Sequence, residues 1–388
     1  MIDHKLFQTR LNELIALPSV SCTQANLDMS NRHVVEKLAS WLETFGFQCQ
    51  LNDVPNTSGK TNLIATLGAG NNGLVLAGHT DTVPYNEERW QSDPLSLTVK
   101  NDRFYGLGTC DMKGFFPTVL AALDKLKPQL KNIQEPLIIL ATADEESSMS
   151  GARALSDGDM KHARYAVIGE PTGMTPIHMH KGIMMEKIRV LGQAGHSSNP
   201  ALGNNALEAM HKVMQVLMDY RNQLQKQNRN SAFAIDMPTM NLGCIHGGDN
   251  PNRICGHCEL EFDLRPLPGM SIDNLHQDIE RLLLPLQQQT STQITLEKLF
   301  PGVPAYAQEK HSDLVTTVEK LTKSEAQSVA FATEAPFLHN LGLQTVVMGP
   351  GSIDQAHQPN EFLSFDEINP AVNIIEQLIG KYCFNHSI

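Results

Sequence analysis

Histidine and acidic residues follow short apolar segments at four places in this chain of 388 residues. Imidazole and carboxylate groups bind zinc and similar divalent metals, and carboxylates also act as general acids and bases. In an open α/β sheet, such groups gather where the parallel strands end. The pattern therefore predicts a metal-dependent catalytic site at one edge of a sheet. The four places are His79 with Asp81 after residues 74–77, Glu145 with Glu146 after 137–141, Glu170 after 165–168, and His357 after 345–348.

One further aspartate belongs to a different kind of segment. Asp111 lies in the glycine-flanked stretch 106–114, directly before a predicted helix at residues 115–126. An aspartate at such a position can simply cap the helix. Because glycines allow the backbone to approach a bound group closely, and because four predicted strand ends already supply candidate ligands, we favour a metal ligand at Asp111.

The candidate ligands are more numerous than one metal requires. Two imidazoles and three carboxylates exceed the needs of a single tetrahedral zinc with an open position, and they suit two metals that share one carboxylate. Spacing alone does not identify the shared group. One member of the adjacent pair Glu145 and Glu146 is surplus to ligation and can take a proton from a metal-activated water, although a solvated acidic loop is the alternative. The five ligands are His79, Asp111, Glu146, Glu170 and His357.

Composition restricts the class of protein. The chain is 41% hydrophobic and 19% charged, as in ordinary globular proteins, and it contains no apolar run near the roughly 20 residues that span a bilayer. A net charge of −12 argues against nucleic acid and membranes as partners. The N-terminal segment lacks the features of a signal peptide and the seven cysteines are widely spaced, so we expect a cytoplasmic protein with reduced thiols.

Two of the cysteines, Cys255 and Cys258, have the spacing of a zinc or redox pair. The surrounding residues 253–265 are predicted to form a strand, in which positions three apart point to opposite faces. The sequence contains no second pair that would complete a set of four ligands. We therefore expect no metal at these cysteines.

The predicted elements indicate two domains, one inserted into the other. Residues 1–183 and 297–388 combine helices with continuously apolar strands, which is typical of an α/β domain with a mostly parallel central sheet and helices on both faces. Residues 184–296 are predicted as strand–helix–strand–strand–helix–strand, an α+β unit without acidic residues at its strand ends.

The order and spacing of these motifs resemble those of the M20 metallopeptidase and deacylase family, over essentially the whole chain. The resemblance implies a zinc-peptidase-like catalytic domain, an inserted lid and dimerisation domain, and a homodimer. It also implies two Zn²⁺ ions as cofactors, with Co²⁺ as a possible substitute. The matching motifs are HTD at 79–81, GTCDMKG at 108–114, DEE at 144–146, GEPT at 169–172, GHSS at 195–198 and the late His357.

The resemblance implies a role for each site residue of the catalytic domain. Asp81 orients the metal-binding imidazole next to it. Glu145 is the general base, and afterwards the acid that protonates the leaving amine. The metal ligands divide into His79 with Glu170 for one metal, Glu146 with His357 for the other, and Asp111 as the bridge.

Five residues are expected to act on the substrate. By resemblance, His196 of the inserted domain stabilises the oxyanion in the partner subunit's site. Asn252 polarises the substrate, and Arg265 binds an α-carboxylate through two parallel hydrogen bonds. Glu334 is our hypothesis for the residue that binds a cationic side chain, with helix capping as the alternative. Gly351 is also assigned to substrate binding.

The implied activity is hydrolysis of an N-acyl amino acid, in particular of N2-acetyl-L-ornithine to ornithine and acetate in arginine biosynthesis. Alternatives are another deacylase or dipeptidase of the family, such as a succinyl-diaminopimelate desuccinylase, and a non-catalytic metal-dependent binding protein. The presence of Glu145 and His196 argues against the binding protein, because metal binding alone needs neither. Cys110 departs from the family pattern, in which a small residue is expected, and it suggests sensitivity to thiol reagents.

Overall fold

The computed structural model describes residues 2–160 and 162–384. In this part of the chain the helices are α1 (His4–Ile15), α2 (Arg32–Glu43), α3 (Phe115–Leu126), α4 (Ser150–Arg153), α5 (Asp157–Met160), α6 (Ala206–Gln227), α7 (Ile272–Thr290), α8 (Asp313–Thr322), α9 (Ala335–Asn340) and α10 (Phe365–Phe384). The strands are β1 (Gln48–Asp53), β2 (Thr61–Leu67), β3 (Gly73–His79), β4 (Thr98–Lys100), β5 (Arg103–Tyr105), β6 (Leu137–Thr142), β7 (Ala163–Pro171), β8 (Ile177–His180), β9 (Met184–Leu191), β10 (Gly195–His196), β11 (Thr239–Gly247), β12 (Arg253–Ile254), β13 (His257–Arg265), β14 (Gln293–Lys298), β15 (Tyr306–Ala307), β16 (Gln327–Val329), β17 (Gln344–Gly349) and β18 (Phe362–Ser364).

The chain divides into two compact units. The first unit consists of Met1–His178, Gln308–Gln327 and Thr333–Ile388, and the second of Met179–Ala307 with Ser328–Ala332. The chain passes from the first unit to the second between residues 178 and 179, and returns between residues 307 and 308. The predicted domain boundaries, at 183/184 and 296/297, enclose a somewhat shorter inserted segment. The division into domains of residues 1–183, 184–296 and 297–388 stays a prediction.

The central sheet has the strand order β1-β2-β6-β3-β7-β17-β8-β15, with β16 beside β8. Its four middle strands, β6, β3, β7 and β17, are parallel neighbours, whereas β1 and β2 run antiparallel at one side. Every residue of β3 and β6 is buried. This explains why the sequences of these strands are continuously apolar and do not alternate between apolar and polar residues. The predicted α/β fold with helices on both faces of the sheet is confirmed.

Helices α1, α2, α3 and α10 contribute to one hydrophobic core with the central strands. The first two bury a single face, as expected for amphipathic helices at a surface. In contrast, α3 is buried along most of its length, and its sequence is correspondingly apolar on all sides. This helix directly follows the segment that contains Asp111, so its burial fixes the position of that segment against the sheet.

A small antiparallel sheet, β18-β5-β4, was not predicted from the sequence. Each of its strands has only three residues, which is too short for a recognisable apolar pattern. Phe362 pairs with Tyr105 in this sheet. It therefore joins a segment near the C-terminus to the segment that leads to Asp111.

The second unit contains an antiparallel sheet in the order β11-β13-β9-β14. Buried and partly exposed residues alternate along β9 and β13, because α6 and α7 pack with their buried side chains into one core. Cys255 and Cys258 both lie in this core, so our expectation that they point to opposite faces is wrong: Cys255 precedes β13 and is not part of a continuous strand. Burial raises the pKa of the Cys258 thiol to about 11, as expected for a cysteine that packs in a hydrophobic core.

None of the helices in residues 2–160 and 162–384 combines the length and the apolar character needed to cross a bilayer.

Candidate metal centre

The metal-binding candidates of the first unit lie where parallel strands end. β3 ends at His79, β6 leads into the turn with Glu145 and Glu146, and β7 contains Glu170 near its end. His357 follows β17 after a short turn. Because β6, β3, β7 and β17 are adjacent and parallel, their carboxyl ends lie along one edge of the sheet, which brings side chains from distant parts of the sequence together.

The first ligand group consists of His79, Asp111 and Glu170. The Nε2 atom of His79 lies 3.1 Å from Oδ1 of Asp111 and 4.0 Å from Oε1 of Glu170. All three side chains are buried. Among the described residues, Oε1 of Glu170 has no hydrogen-bond partner. A buried carboxylate oxygen without a partner is costly, and a cation would satisfy it.

The second group consists of Asp111, Glu146 and His357. The Nε2 atom of His357 lies 2.9 Å from Oε2 of Glu146 and 3.6 Å from Oδ2 of Asp111. Asp111 thus belongs to both groups, through one oxygen toward His79 and the other toward His357. This is the arrangement expected of a carboxylate shared by two metals.

The electrostatics of these side chains also fit two divalent cations. Burial raises the pKa of Glu145, Glu146 and Glu170, and neighbouring carboxylates raise each of them further. Several negative charges are therefore confined in one buried volume. Two bound cations would offset that repulsion, and the mixture of imidazole and carboxylate donors suits zinc or a similar metal.

Glu145 and Glu146 are adjacent but have different positions in the site. Only Glu146 belongs to a ligand group within the described part of the chain. Glu145 is near enough to Glu170 and His79 for their charges to affect its pKa, yet it joins neither group. This is the arrangement that the sequence predicts for a carboxylate left over for proton transfer.

Asp81 differs from the predicted orienting role in its details. The Nδ1 atom of His79 lies 3.1 Å from the backbone oxygen of Asp81 and 3.8 Å from its carboxylate. The carboxylate accepts a hydrogen bond from the backbone N–H of Glu146 at 3.1 Å. The backbone oxygen of Asp81 therefore lies against the ring of one candidate ligand, and its carboxylate holds the backbone of another.

The turn that presents Glu145 and Glu146 is held by Asp144, for which the sequence suggested no role. Asp144 has a left-handed backbone conformation, with φ of +66°. Its carboxylate accepts hydrogen bonds from Ser148, Ser21 and Lys60, which lower its pKa to about 2 against the opposing effect of burial. The turn is thus anchored to two segments that lie far away in the sequence.

Glu361 was also not recognised as part of the site. Its buried carboxylate accepts hydrogen bonds from the backbone N–H groups of Gly108, Cys110 and Asp111 at 2.9, 2.7 and 2.8 Å. Burial and the charge of Asp111 raise its pKa to about 8. The sequence signal would have been an acidic residue directly before an apolar pair and close to His357, which is too common a pattern to single out.

The predicted substrate residues of the first unit are both buried. Glu334 is 1% exposed, and its Oε1 atom has no hydrogen-bond partner in the part of the chain described. Burial raises its pKa to about 7, although a hydrogen bond with Thr142 acts in the other direction. It occupies the N-cap position of α9 without a capping hydrogen bond from its side chain, which argues against the capping alternative. Gly351 has φ of +91°, and a Cβ atom there would overlap the thiol of Cys110.

The thiol of Cys110 is unsuited to react with external reagents. It is buried and lies 3.4 Å from the backbone oxygen of Ser352. Burial and the charges of Glu361 and Asp111 raise its pKa. Because the thiolate is the reactive form, the suggested sensitivity to thiol reagents at this position is not supported by the structure.

The remaining predicted residues belong to the second unit. His196 is exposed on β10, and its Nδ1 atom lies 2.9 Å from the hydroxyl of Ser198. The N–H of Ser197 donates to the backbone oxygen of Asn252 at 3.1 Å, so the histidine turn and Asn252 are neighbours. Arg265 forms an ion pair with Asp263 at 2.9 Å and remains partly exposed.

Comparison with known proteins identifies the family. Residues 75–381 match the family described as peptidase family M20/M25/M40. Over 97% of this chain and 99% of its own length, a protein of Aliivibrio salmonicida named acetylornithine deacetylase is 47% identical. The chain therefore belongs to the M20 family, which confirms the resemblance seen in the motifs.

Solved structures show the same fold. A tripeptidase from Staphylococcus aureus superposes with a TM-score of 0.75 at 18% identity, covering 98% of each chain. A dinuclear metal-binding peptidase of the M20 family from Bacillus subtilis superposes with a TM-score of 0.67 at 15% identity, covering 96% of this chain and 98% of its own. In both comparisons the likeness extends over nearly the whole length of each chain.

Proposed function

We propose that this protein hydrolyses N2-acetyl-L-ornithine to ornithine and acetate with two divalent metals, a step of arginine biosynthesis. The observation that carries the proposal is the pair of ligand groups that share Asp111, with Glu145 beside them but outside both. The substrate is suggested by the 47% identical relative named acetylornithine deacetylase.

His79, Asp111 and Glu170 would hold one metal, and Asp111, Glu146 and His357 the other. Zinc is the metal we propose, with cobalt as a possible substitute, because both accept imidazole and carboxylate ligands. When bound, the two metals supply a nucleophile from water at neutral pH and polarise the amide carbonyl.

Glu145 is the proton carrier in this proposal. Its burial and the nearby Glu170 raise the pKa of its carboxyl group, which favours proton uptake by this carboxylate. It takes the proton of the attacking water and delivers it to the nitrogen of the leaving amine. The leaving group therefore departs as a neutral amine.

His196 is proposed to stabilise the oxyanion in the site of a second subunit. Its side chain is exposed and its Nδ1 atom is engaged by Ser198, which leaves Nε2 available as a donor. The proposed homodimer is supported by β11, an edge strand of the second unit, and by the exposed apolar side chains of Ile245 and Leu207. Unpaired edge strands readily pair with another chain.

Substrate recognition is proposed to use both ends of the amino acid. Arg265 binds the α-carboxylate, and Asn252 polarises the acyl group. Gly351 contributes to substrate binding from a turn in which glycine is required, because a Cβ atom there would overlap the thiol of Cys110. Glu334 binds the cationic side chain. Its support is the buried Oε1 atom that lacks a partner within the described residues.

The reaction is proposed to take place in the cytoplasm. All seven cysteines are free in the structure, which suits a reducing compartment. The net charge of −12 gives no reason to expect nucleic acid or a membrane as a partner. The molecule that this site is proposed to bind is a small N-acyl amino acid, its substrate.

The deciding experiment compares three substrates with the zinc-loaded protein and with a chelator-treated control. We expect kcat/KM to be highest for N2-acetyl-L-ornithine, lower for the neutral N2-acetyl-L-citrulline and lowest for N-succinyl-diaminopimelate, with all turnover lost on chelation. Preference for another of these amides would keep the two-metal hydrolase and replace the substrate. Absence of turnover on all three would favour the alternative of a metal-dependent binding protein.

A further inference from the structure

Glu361 fixes the backbone of the turn before Asp111. Its Oε1 atom accepts from the N–H groups of Cys110 and Asp111, and Oε2 accepts from Gly108. These amides lie outside the helices and strands, so they would otherwise be buried without acceptors. Gly108 has φ of +84°, which is accessible to glycine at little cost. The carboxylate therefore selects one conformation of this turn.

The same residue also limits the position of His357, which lies four positions before it. The backbone of Glu361 accepts from the N–H of Gly106 at 3.1 Å, and the next residue begins β18, which pairs with β5. The loop that carries His357 is thus tied to the segment that carries Asp111. Between the two connected segments, the Nε2 atom of His357 and the Oδ2 atom of Asp111 are 3.6 Å apart.

We propose that Glu361 is a positioning residue that sets the separation of Asp111 and His357, and so the affinity of the metal that these two would share with Glu146. The inference rests on the proposed two-metal function. Glu361 lies outside both ligand groups and acts only through the backbone. Its effect on this metal is expected to be the larger one, because Glu361 is tied both to Asp111 and to the loop of His357, whereas it reaches the other metal position only through Asp111, which both ligand groups share.

Glutamine at this position tests the inference because it has the size of glutamate but only one acceptor atom. In Glu361→Gln, either the Gly108 N–H or the N–H groups of Cys110 and Asp111 must face an NH₂ donor. The turn then relaxes, and Asp111 shifts relative to His357. Changes to residues that orient metal ligands typically reduce metal affinity about 10- to 100-fold.

The experiment titrates zinc into the chelator-treated full-length protein against a competing chelator, so that the two equivalents are resolved. For Glu361→Gln we expect one equivalent to weaken about 10- to 100-fold and the other, which depends on Glu361 only through the shared Asp111, to weaken by a clearly smaller factor. The matched control is Glu135→Gln. Glu135 also accepts two backbone N–H groups, from Asn71 and Asn72, but it precedes β6 at the end opposite the site.

A second pair of measurements identifies which equivalent is affected. In a His357→Ala background, Glu361→Gln should add less than about threefold, because the equivalent it acts on is already lost. In a His79→Ala background its full effect should remain. Wild-type affinity for both equivalents, or equal weakening of both, overturns the inference.

If Glu361→Gln gives no folded protein by circular dichroism, Glu361→Asp replaces it. Aspartate keeps both acceptor oxygens but is one methylene shorter, so the same selective weakening is expected at a smaller size. Zinc affinity is measured without substrate. The result therefore decides the role of Glu361 even if the protein cleaves none of the proposed amides.

Discussion

The Nε2 atom of His357 lies 2.9 Å from Oε2 of Glu146, although 211 positions separate the two residues in the chain. The glutamate side chain is 7% exposed and that of the histidine 56%. His357 has a left-handed backbone, with φ of +60°, which is uncommon for a residue other than glycine. The second ligand group is thus buried on the glutamate side and accessible on the histidine side, where a substrate could approach.

The first prediction separates the two adjacent glutamates. Glu145→Gln should reduce kcat by about 10²- to 10⁴-fold, because it removes the proton carrier, while both zinc equivalents remain bound. Glu146→Gln should lose one zinc equivalent, because it removes a ligand. Zinc content measured by mass spectrometry and kcat measured on N2-acetyl-L-ornithine distinguish the two effects.

Glu88→Gln is a suitable control, since Glu88 is an exposed acidic residue in a short turn of the same unit. It should change neither quantity. Loss of a zinc equivalent in Glu145→Gln would show that this residue is a ligand, and the assignment of the two glutamates would have to be exchanged.

The position of the candidate ligands could be predicted because it depends on local sequence. The central strands are buried on both faces, so the segments before Asp81 and Glu145 are continuously apolar and end where polar residues begin. Parallel order then brings the strand ends to one edge. Strand burial and strand order therefore explain why His79, Glu170 and the adjacent pair Glu145 and Glu146 could be named as candidates, whereas the choice between the two members of that pair depended on the resemblance to the family.

The supporting residues could not be predicted, because their partners are distant in sequence. Glu361 contacts amides about 250 positions away, and Lys60, directly before β2, pairs with Asp144 in the turn after β6. Neither forms a periodic pattern or a short motif. The β18-β5-β4 sheet that brings Glu361 to its partners consists of three-residue strands, which carry no apolar repeat of their own.

The second prediction tests whether His196 acts in the site of the partner subunit. His196→Ala should reduce kcat by about 10²- to 10³-fold without loss of zinc, as expected for removal of one oxyanion donor. Mixing inactive His196→Ala with inactive Glu145→Gln and allowing subunits to exchange should restore about a quarter of wild-type activity. The reason is that half of the dimers are then mixed and one of their two sites is intact.

The mixing experiment excludes a site completed within a single chain. In that case each mixed dimer would contain two defective sites, and activity would stay at the level of the parent variants. His211→Ala serves as a control, because His211 is an exposed histidine of α6 in the same unit. It should retain wild-type kcat.

The third prediction concerns the preference for a cationic side chain. Glu334→Gln should reduce the ratio of kcat/KM for N2-acetyl-L-ornithine to that for N2-acetyl-L-citrulline by at least about tenfold, because a buried charge that faces an ammonium group is lost. Zinc content is measured on the same samples, since Glu334 is near enough to His79 for their charges to interact.

Glu319→Gln provides the comparison for this ratio. Glu319 is a partly buried acceptor of a backbone N–H in the first unit, and its replacement should leave the ratio unchanged. If the ratio of the Glu334 variant also stays at the wild-type value with zinc intact, the residue does not select the substrate.

The fourth prediction is that His180 makes stability depend on pH between 4 and 6.5. His180 is fully buried and its ring hydrogen-bonds the backbone oxygen of Lys181 at 2.8 Å. Burial lowers its pKa to about 4, whereas an unfolded histidine titrates near 6.5. Between these values the unfolded chain binds more protons than the folded one. Stability is therefore intact above pH 6.5 and falls by about 3 kcal/mol as the pH is lowered to 4.

Urea unfolding of the zinc-free protein measures this effect without a contribution from metal release. The variant His180→Asn keeps a donor near the position of Nδ1 but cannot be protonated in this range. It should be less stable than the wild type at pH 7, and its free energy of unfolding should decline less steeply toward pH 4. Exposed His211→Asn should follow the wild-type curve. Parallel curves for the wild type and His180→Asn would mean that protonation of other groups causes the acid sensitivity, because the buried imidazole would then contribute nothing to it.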